Sequence, residues 1–279
     1  MLDQFLAAKT AAGLSSRTIA TYKLHVAHFT TWLDGRPISR PTLRAYLTEL
    51  LATKKAITVA SYIRDVSVYC AWLVDEGDLD TNPATRLKPK VPKRRPTSYG
   101  KRHINALLDG ADLRTKALII TLLDTGLRVG ELVSMNRDRV DVVTGHFTVV
   151  GKGDKERSGW MSAYALIAIR VYLASRDDDD PALWRGKKGR LTESGVYQII
   201  KRRASAIGIR DEIHRLLHSF RATFAKHYIR RGGDLESLRR LLGHETIAMA
   251  AHYAVLADED LGERKHEVNP LGGAIDDAA

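Results

Sequence analysis

One cysteine, Cys70, stands in a chain of 279 residues. That excludes an intrachain disulfide and any zinc centre built from cysteines. Cys70 falls in an apolar stripe at helical spacing, so a buried, inert thiol is expected. No stretch is expected to reach the roughly 20 apolar residues of a membrane span. The N-terminus, MLDQFLAAKTAAG, carries Asp3 early and lacks the apolar run of a signal peptide. A soluble, cytoplasmic protein with no membrane partner is the expectation. Metal chemistry has little to work with. The acidic turn Asp177–Asp180, closed by Pro181, reads as a solvated loop, because consecutive aspartates cannot all face one ion.

Charge is what the chain has in excess. There are 44 Lys/Arg against 33 Asp/Glu, a formal +11, and such a balance favours a polyanionic partner, nucleic acid first. The excess is uneven: residues 1–99 hold 15 basic and 8 acidic side chains, and the remainder 29 and 25. A module that grips phosphates contributes affinity rather than chemistry, and the N-terminal part has that balance. Residues 257–279 reverse it, with seven acidic and two basic residues; this tail is expected to pack on protein or stay loose.

Residues 1 to about 88 read as helical. Ile19, Tyr22, Val26, Phe29 and Leu33 step by three and four, predicting a helix from an N-cap at Ser16 to about Asp34, stopped by Gly35 and Pro37. A second helix follows Pro41, with Leu43, Tyr46, Leu47 and Leu50 on one face. A third covers about Thr58–Asp75 and buries Val59, Ile63, Val66, Cys70 and Leu73. Residues 89–100 form a basic linker in which Pro89, Pro92 and Pro96 forbid a continuous helix. Lys88, Lys90, Lys93, Arg94 and Arg95 in and beside it are candidate DNA contacts.

Beyond Gly100, helices are predicted over Lys101–Leu108, Lys116–Leu123, Tyr164–Ser175 and Thr192–Ile207. The last carries Lys201, Arg202 and Arg203, a candidate DNA-facing surface. His146–Val150 and Glu156–Met161 read as strands around the turn Gly151-Lys152-Gly153-Asp154, with Asp138–Val142 as a candidate third. Arg128 follows the Gly126 turn at a helix start, where unpaired N–H groups welcome an anion; Glu131 lies three residues on.

The densest chemistry lies in His218–Tyr253, HSFRATFAKHYIRRGGDLESLRRLLGHETIAMAAHY. His218 and Arg221 are three apart and share a helical face. Gly243 breaks a helix ahead of His244, and Tyr253 follows nine residues later. Two histidines, an arginine and a tyrosine converging in a basic protein form a constellation for attacking a phosphate.

These residues resemble the tyrosine recombinases of the phage integrase and Xer group. The matching pieces, in that family's order, are TGLRVGEL (125–132), VGKGDKER (150–157), HSFRATFA (218–225), LLGHE (241–245) and His252-Tyr253. His214-Arg215-Leu216-Leu217-His218 offers a competing register, but Leu217 stands where the arginine belongs, so His218 and Arg221 are the pair and His214 is structural.

The resemblance implies a mainly α fold with a small antiparallel β-sheet. Its parts would be a helical core-type DNA-binding domain (1–88), the linker (89–100), an α+β catalytic domain (101–256) and the tail (257–279). It implies a reaction with no cofactor and no metal. Tyr253 would attack the scissile phosphate, leaving a 3′-phosphotyrosyl link and a free 5′-hydroxyl. Arg128 and Arg221 would clamp the phosphate, Lys152 would protonate the leaving oxygen, His218 would act as general base and His244 would hydrogen-bond the phosphate.

The implied partners are double-stranded DNA core sites and a homotetramer assembled on paired sites. Integration of phage or mobile-element DNA is the expected outcome. The alternatives are a type IB topoisomerase-like nicking-closing enzyme and a catalytically inactive DNA-binding relative. With the chain starting directly in the core-binding module, no arm-site domain is expected. The closing residues Ala274–Ala279 resemble the small apolar ends read by cytoplasmic proteases.

Overall fold

A computed structural model describes residues 1–92, 97–151, 156–209 and 215–257. Lys93, Arg94, Arg95, Lys152, His214 and the tail beyond Ala257 lie outside the described residues. The chain divides into two compact units, Met1–Arg94 and Arg95–Ala279.

The first unit contains four helices among its described residues: α1 (Leu2–Ala11), α2 (Ser16–Leu33), α3 (Arg40–Thr53) and α4 (Ala56–Asp75). Local chemistry fixes their ends. Ser15, one residue before the expected cap, accepts the Thr18 N–H and starts α2; Asp34 in the left-handed region ends it. Adjacent serines both satisfy the capping pattern, so spacing alone does not choose between them. Ser39 caps α3, with Pro41 in its first turn.

Phe5, Val26, Phe29, Leu43, Tyr46, Ile63, Val66 and Leu73 meet in the core of this unit. Cys70 is buried with them, as its stripe requires, and burial pushes its thiol up to about 12. Asp65 is fully buried on α4, an arrangement that demands partners. His25 Nδ1 supplies one at 2.6 Å and Arg64 Nε another at 2.8 Å.

One expectation is corrected here. α4 is long and apolar enough, by length and composition, to cross a membrane. Half of it is buried inside the unit and it carries Arg64 and Asp65, so core packing accounts for its apolar face.

The second unit begins with α5 (Lys101–Leu108), α6 (Leu113–Thr125) and the short α7 (Val129–Ser134). Strands β1 (His146–Val150) and β2 (Glu156–Trp160) pair antiparallel, with Val149 opposite Arg157 and Val150 opposite Glu156. The candidate third strand, Asp138–Val142, is instead the end of a 3-10 turn and a single bridge from Val140 to Phe147. The Asp141 carboxylate accepts the Val143 and Thr144 N–H groups and turns the chain away from pairing.

Then follow α8 (Ala163–Ala174), the two-residue strands β3 (Arg185–Gly186) and β4 (Gly189–Arg190), α9 (Glu193–Ala206), α10 (Leu216–Arg230), α11 (Leu235–Leu242) and α12 (Ile247–Ala257). The acidic turn is partly tied down by ion pairs: Arg137, Arg176 and Arg185 all reach Asp178, while Asp177 and Asp179 are exposed.

α10 divides this unit's core. Its Leu216 and Phe220 join the main cluster around Leu118, Ile119, Leu122 and Trp184. Its Ala222 and Ala225 face Leu238, Leu242, Ala250 and Tyr253 from α11 and α12. His218 and Arg221 therefore lie on a helix gripped on both sides. The chain leaving the linker fastens it further: Tyr99 Oη donates to Leu216 O at 2.8 Å and Tyr99 N to Thr223 Oγ1 at 2.7 Å. The whole is mainly α with small antiparallel sheets.

Candidate active site

The site is built around the C-terminus of α11. A helix end exposes carbonyls without intrahelical donors and carries partial negative charge, so cations gather there. Gly243 ends α11 at φ +62, a conformation that costs an L side chain but not glycine. Arg221 Nη2 donates to Leu242 O at 2.5 Å and its Nη1 to Gly126 O at 2.8 Å. Arg128 Nη1 reaches the same Leu242 O at 3.4 Å and its Nη2 reaches Gly243 O at 3.4 Å. One peptide carbonyl thus holds two arginines drawn from segments more than ninety residues apart.

Gly126 makes this possible. At φ +60 it ends α6, and a Cβ there would meet Phe224 Cδ1 at 2.7 Å and Leu242 Cδ2 at 2.8 Å. Only glycine lets α6 approach α10 and α11 closely enough to offer its carbonyl to Arg221.

Arg128 stands ahead of α7, as expected, but its N–H is not free for an anion. Glu131 Oε2 accepts it at 2.8 Å, and Oε1 accepts Arg128 Nη1 at 3.0 Å. The two arginines differ in access: the Arg128 side chain is 43% exposed, whereas Arg221 is 4% exposed. Burial first, then the Arg128 charge, lower the Arg221 guanidinium to about 10, so it still carries its charge near neutral pH.

α12 brings Tyr253 to the same place. Its ring is 4% exposed, and Oη lies 3.3 Å from His218 Nε2. The His244 ring stacks parallel to the Tyr253 ring at 5.9 Å between centroids, and His252 meets its edge at 6.1 Å. His244 is held by its backbone: its N–H donates to Arg239 O, and Arg239 Nη1 returns a bond to His244 O. Its Nδ1 is buried without a partner among the described residues.

Burial and the surrounding arginines depress both histidines: His218 falls below its ordinary value, and His244 to about 4. Both are neutral imidazoles at pH 7. The geometry therefore unites two arginines, two neutral histidines and a tyrosine hydroxyl: cationic donors for an anion beside a hydroxyl with a proton acceptor in reach.

Of the residues singled out from sequence, Arg128, Arg221, His218, His244 and Tyr253 come together. Lys152 falls outside the described residues. Lys88 and Lys90 are exposed on the first unit. Lys201, Arg202 and Arg203 do not share a face. Arg203 turns inward, donating to Ala106 O at 3.1 Å and Leu107 O at 3.3 Å at the end of α5, while Arg202 is exposed.

Sequence reasoning assigned nothing to Arg157, yet its guanidinium donates to Glu131 Oε2 and to Leu241 O, both at 2.7 Å. The signal was strand alternation: Arg157 shares its side of β2 with buried Gly159, and an inward-facing arginine requires partners.

Comparison with known proteins agrees with this geometry. The model of the phage integrase family matches residues 101–260. The tyrosine recombinase XerC of Herpetosiphon aurantiacus is 32% identical over 281 residues, spanning 92% of this chain and 91% of that protein. Among solved structures, the fold is that of the XerH site-specific recombinase bound to palindromic difH substrate in a post-cleavage complex, with TM-score 0.75, 20% identity and coverage of 92% and 81%. A lambda integrase tetramer bound to a Holliday junction gives TM-score 0.72 at 18% identity, covering 88% and 76%. With the family match spanning more than half its length and a full-length relative above 30% identity, this chain belongs to the phage integrase family of tyrosine recombinases.

Proposed function

We propose that this site-specific recombinase cuts and rejoins DNA through Tyr253. The observation that carries the reading is the shared carbonyl of Leu242, which holds Arg128 and Arg221 side by side, with Tyr253 Oη 3.3 Å from His218 Nε2. In the attack, Tyr253 Oη forms a bond to phosphorus and the bond from phosphorus to the 5′-oxygen breaks. The phenolic proton passes to neutral His218, and Lys152 gives a proton to the departing 5′-oxygen. Arg128 and Arg221 neutralise the non-bridging oxygens with planar forks, and His244 donates a hydrogen bond to one of them. Phosphoryl transfer of this kind depends mainly on positioning and charge. The bond is conserved as a protein–DNA ester, so a partner strand's 5′-hydroxyl reverses the step without outside energy.

Double-stranded DNA core sites are the substrate in this reading. The basic first unit, the linker lysines and arginines, Lys201 and Arg202 supply phosphate contacts, consistent with the charge excess. A homotetramer on paired sites is the working assembly, supported by the likeness to a tetramer named as bound to a Holliday junction. Integration of phage or mobile-element DNA is the narrower outcome. It shares its chemistry with resolution of two sites in one molecule, and the pair of DNA substrates supplied separates them.

The test is covalent trapping. The full chain is incubated with a library of random duplexes carrying a nick, and SDS-resistant adducts are sequenced. The expected result is a 3′-linked adduct enriched for one core sequence and absent with Tyr253→Phe. Equal relaxation of any supercoiled plasmid, with no enriched site, would replace recombination by nicking and closing. An adduct surviving Tyr253→Phe would overturn the nucleophile.

A further inference from the structure

We propose that Arg157 is a positioning residue for strand cleavage: it holds Glu131 and the end of α11 so that Arg128 and Arg221 stay aimed at one phosphate. The inference rests on the reading above, in which those two arginines clamp the scissile phosphate.

Arg157 is itself unsuited to touch DNA. Its side chain is 14% exposed and its donors are committed to protein. Nη2 binds Glu131 Oε2 at 2.7 Å, Nη1 binds Leu241 O at 2.7 Å and Nε reaches Glu131 Oε1 at 3.5 Å. Arg128, by contrast, is 43% exposed and holds its two carbonyls only at 3.4 Å, bonds that a phosphate can displace.

The pivot between them is Glu131, whose carboxylate is 5% exposed. Each of its oxygens is shared: Oε1 by Arg128 Nη1 and Arg157 Nε, Oε2 by Arg128 N and Arg157 Nη2. A buried carboxylate facing Arg128 alone would draw that guanidinium into a closed ion pair and cancel its charge. Arg157 takes part of the carboxylate, leaving three arginines around one acid and net positive charge for an incoming anion.

Arg157 also joins two elements that sequence holds far apart. It stands on β2, and its bond to Leu241 O ties that strand to the carbonyl preceding the one that holds Arg128 and Arg221. Packing locks the arrangement: a Cβ on Gly243 would come within 2.9 Å of Arg157 Cδ. The charged groups around Glu131 are Arg128 on its own segment, Arg157 from β2, Arg221 from α10, and Glu193 of α9 beside Gly130. Burial alone would raise the Glu131 carboxyl; Arg157 first, then Arg128, outweigh it and hold it below the ordinary carboxylate range. Removing Arg157 therefore lets Glu131 protonate at higher pH.

The experiment compares the wild-type chain with Arg157→Gln, Arg157→Lys, Glu131→Gln and the double variant Arg157→Gln/Glu131→Gln on a nicked duplex bearing the trapped core site. Single-turnover adduct formation is measured at saturating DNA from pH 5 to 9, alongside DNA affinity. Misplacement of a clamp by an ångström costs on the order of 100-fold in rate, so Arg157→Gln is expected to slow adduct formation by about that factor while affinity changes less than about 3-fold. Arg157→Lys, a point charge without the fork, is expected to recover part of the rate. The acid limb of the Arg157→Gln profile should lie at higher pH than in wild type, and the Arg157→Gln loss should be smaller in the Glu131→Gln background, what remains being the bond to Leu241 O.

An unchanged rate at saturating DNA overturns the proposal, and so does an Arg157→Gln loss of equal size in the Glu131→Gln background. If Arg157→Gln does not fold, Arg157→Lys carries the same rate and pH comparisons. A wild-type chain that forms no adduct on any duplex overturns the phosphate-clamp reading itself; an active wild type with an indifferent Arg157 overturns only the inference.

Discussion

Tyr253 Oη and His218 Nε2 lie 3.3 Å apart across the packing of α10 against α12. In the proposed mechanism the pair gives the enclosed Tyr253 hydroxyl a proton acceptor. Tyr253→Phe removes the hydroxyl and keeps the ring that packs with Leu238, Leu242 and Ala250. Losing one hydrogen bond costs about 0.5–1.5 kcal/mol, so the variant should fold and bind DNA with near-normal affinity. It should give no SDS-resistant adduct. Gel mobility shift and adduct assays on one sample check both halves.

The two depressed histidines set a pH dependence with a definite sign. Below the ordinary imidazole value of 6.5 the unfolded chain takes up protons that buried His244, lowered to about 4, refuses. Stability from this source is complete above about pH 6.5 and is lost as pH falls toward 4. In the proposed mechanism neutral His218 is the proton acceptor. The second-order rate of adduct formation, which reports groups of the free enzyme, should therefore have its acid midpoint below the ordinary imidazole value of 6.5. An acid midpoint above 6.5 would contradict the burial of His218 among arginines. His218→Gln should lower the rate by about 100- to 10,000-fold.

The side chains of the candidate site were legible because each announces itself locally. His218 and Arg221 share a helical face, Gly243 marks a helix end before His244, and Tyr253 closes the stretch. What joins them was not legible. Leu242 and Leu241 offer carbonyls, and a carbonyl has no sequence signature. Its partners Arg128 and Arg157 lie 114 and 84 positions away. Glu131 was visible as a neighbour of Arg128, but its role as a shared acceptor depends on β2 folding against α7. The third strand failed for a local reason: Asp141 caps its own turn, and a capping side chain competes with strand pairing.

Two glycines with the same backbone angle separate strain from packing. Gly126 and Gly110 both sit at φ +60, but a Cβ on Gly110 meets nothing within 4 Å, whereas on Gly126 it meets Phe224 and Leu242 below 3 Å. Gly110→Ala should cost about 1 kcal/mol from the left-handed conformation alone. Gly126→Ala adds overpacking and should cost about 2–4 kcal/mol. It also displaces the carbonyl that holds Arg221, so adduct formation should fall with it. Chemical denaturation of the two variants gives the difference directly; equal costs would mean that α6, α10 and α11 are not in close contact.

Neighbouring arginines on α9 should behave oppositely. Arg203 donates to the carbonyls of Ala106, Leu107 and Asp109 and so caps the end of α5. Arg202, one residue earlier and about 100° around the helix, is exposed and, among the described residues, bonds only to Gln198 O of its own helix. Arg203→Ala leaves carbonyls without donors and should destabilise the second unit by about 1.5–3 kcal/mol. Arg202→Ala should change stability by no more than about 0.5 kcal/mol. If Arg202 meets a phosphate, its removal should weaken binding to all sequences alike and reduce the slope of log affinity against log salt by about 1. A salt titration of both variants against wild type, beside their thermal unfolding, assigns one arginine to the fold and the other to DNA; an unchanged slope in Arg202→Ala removes it from the DNA surface.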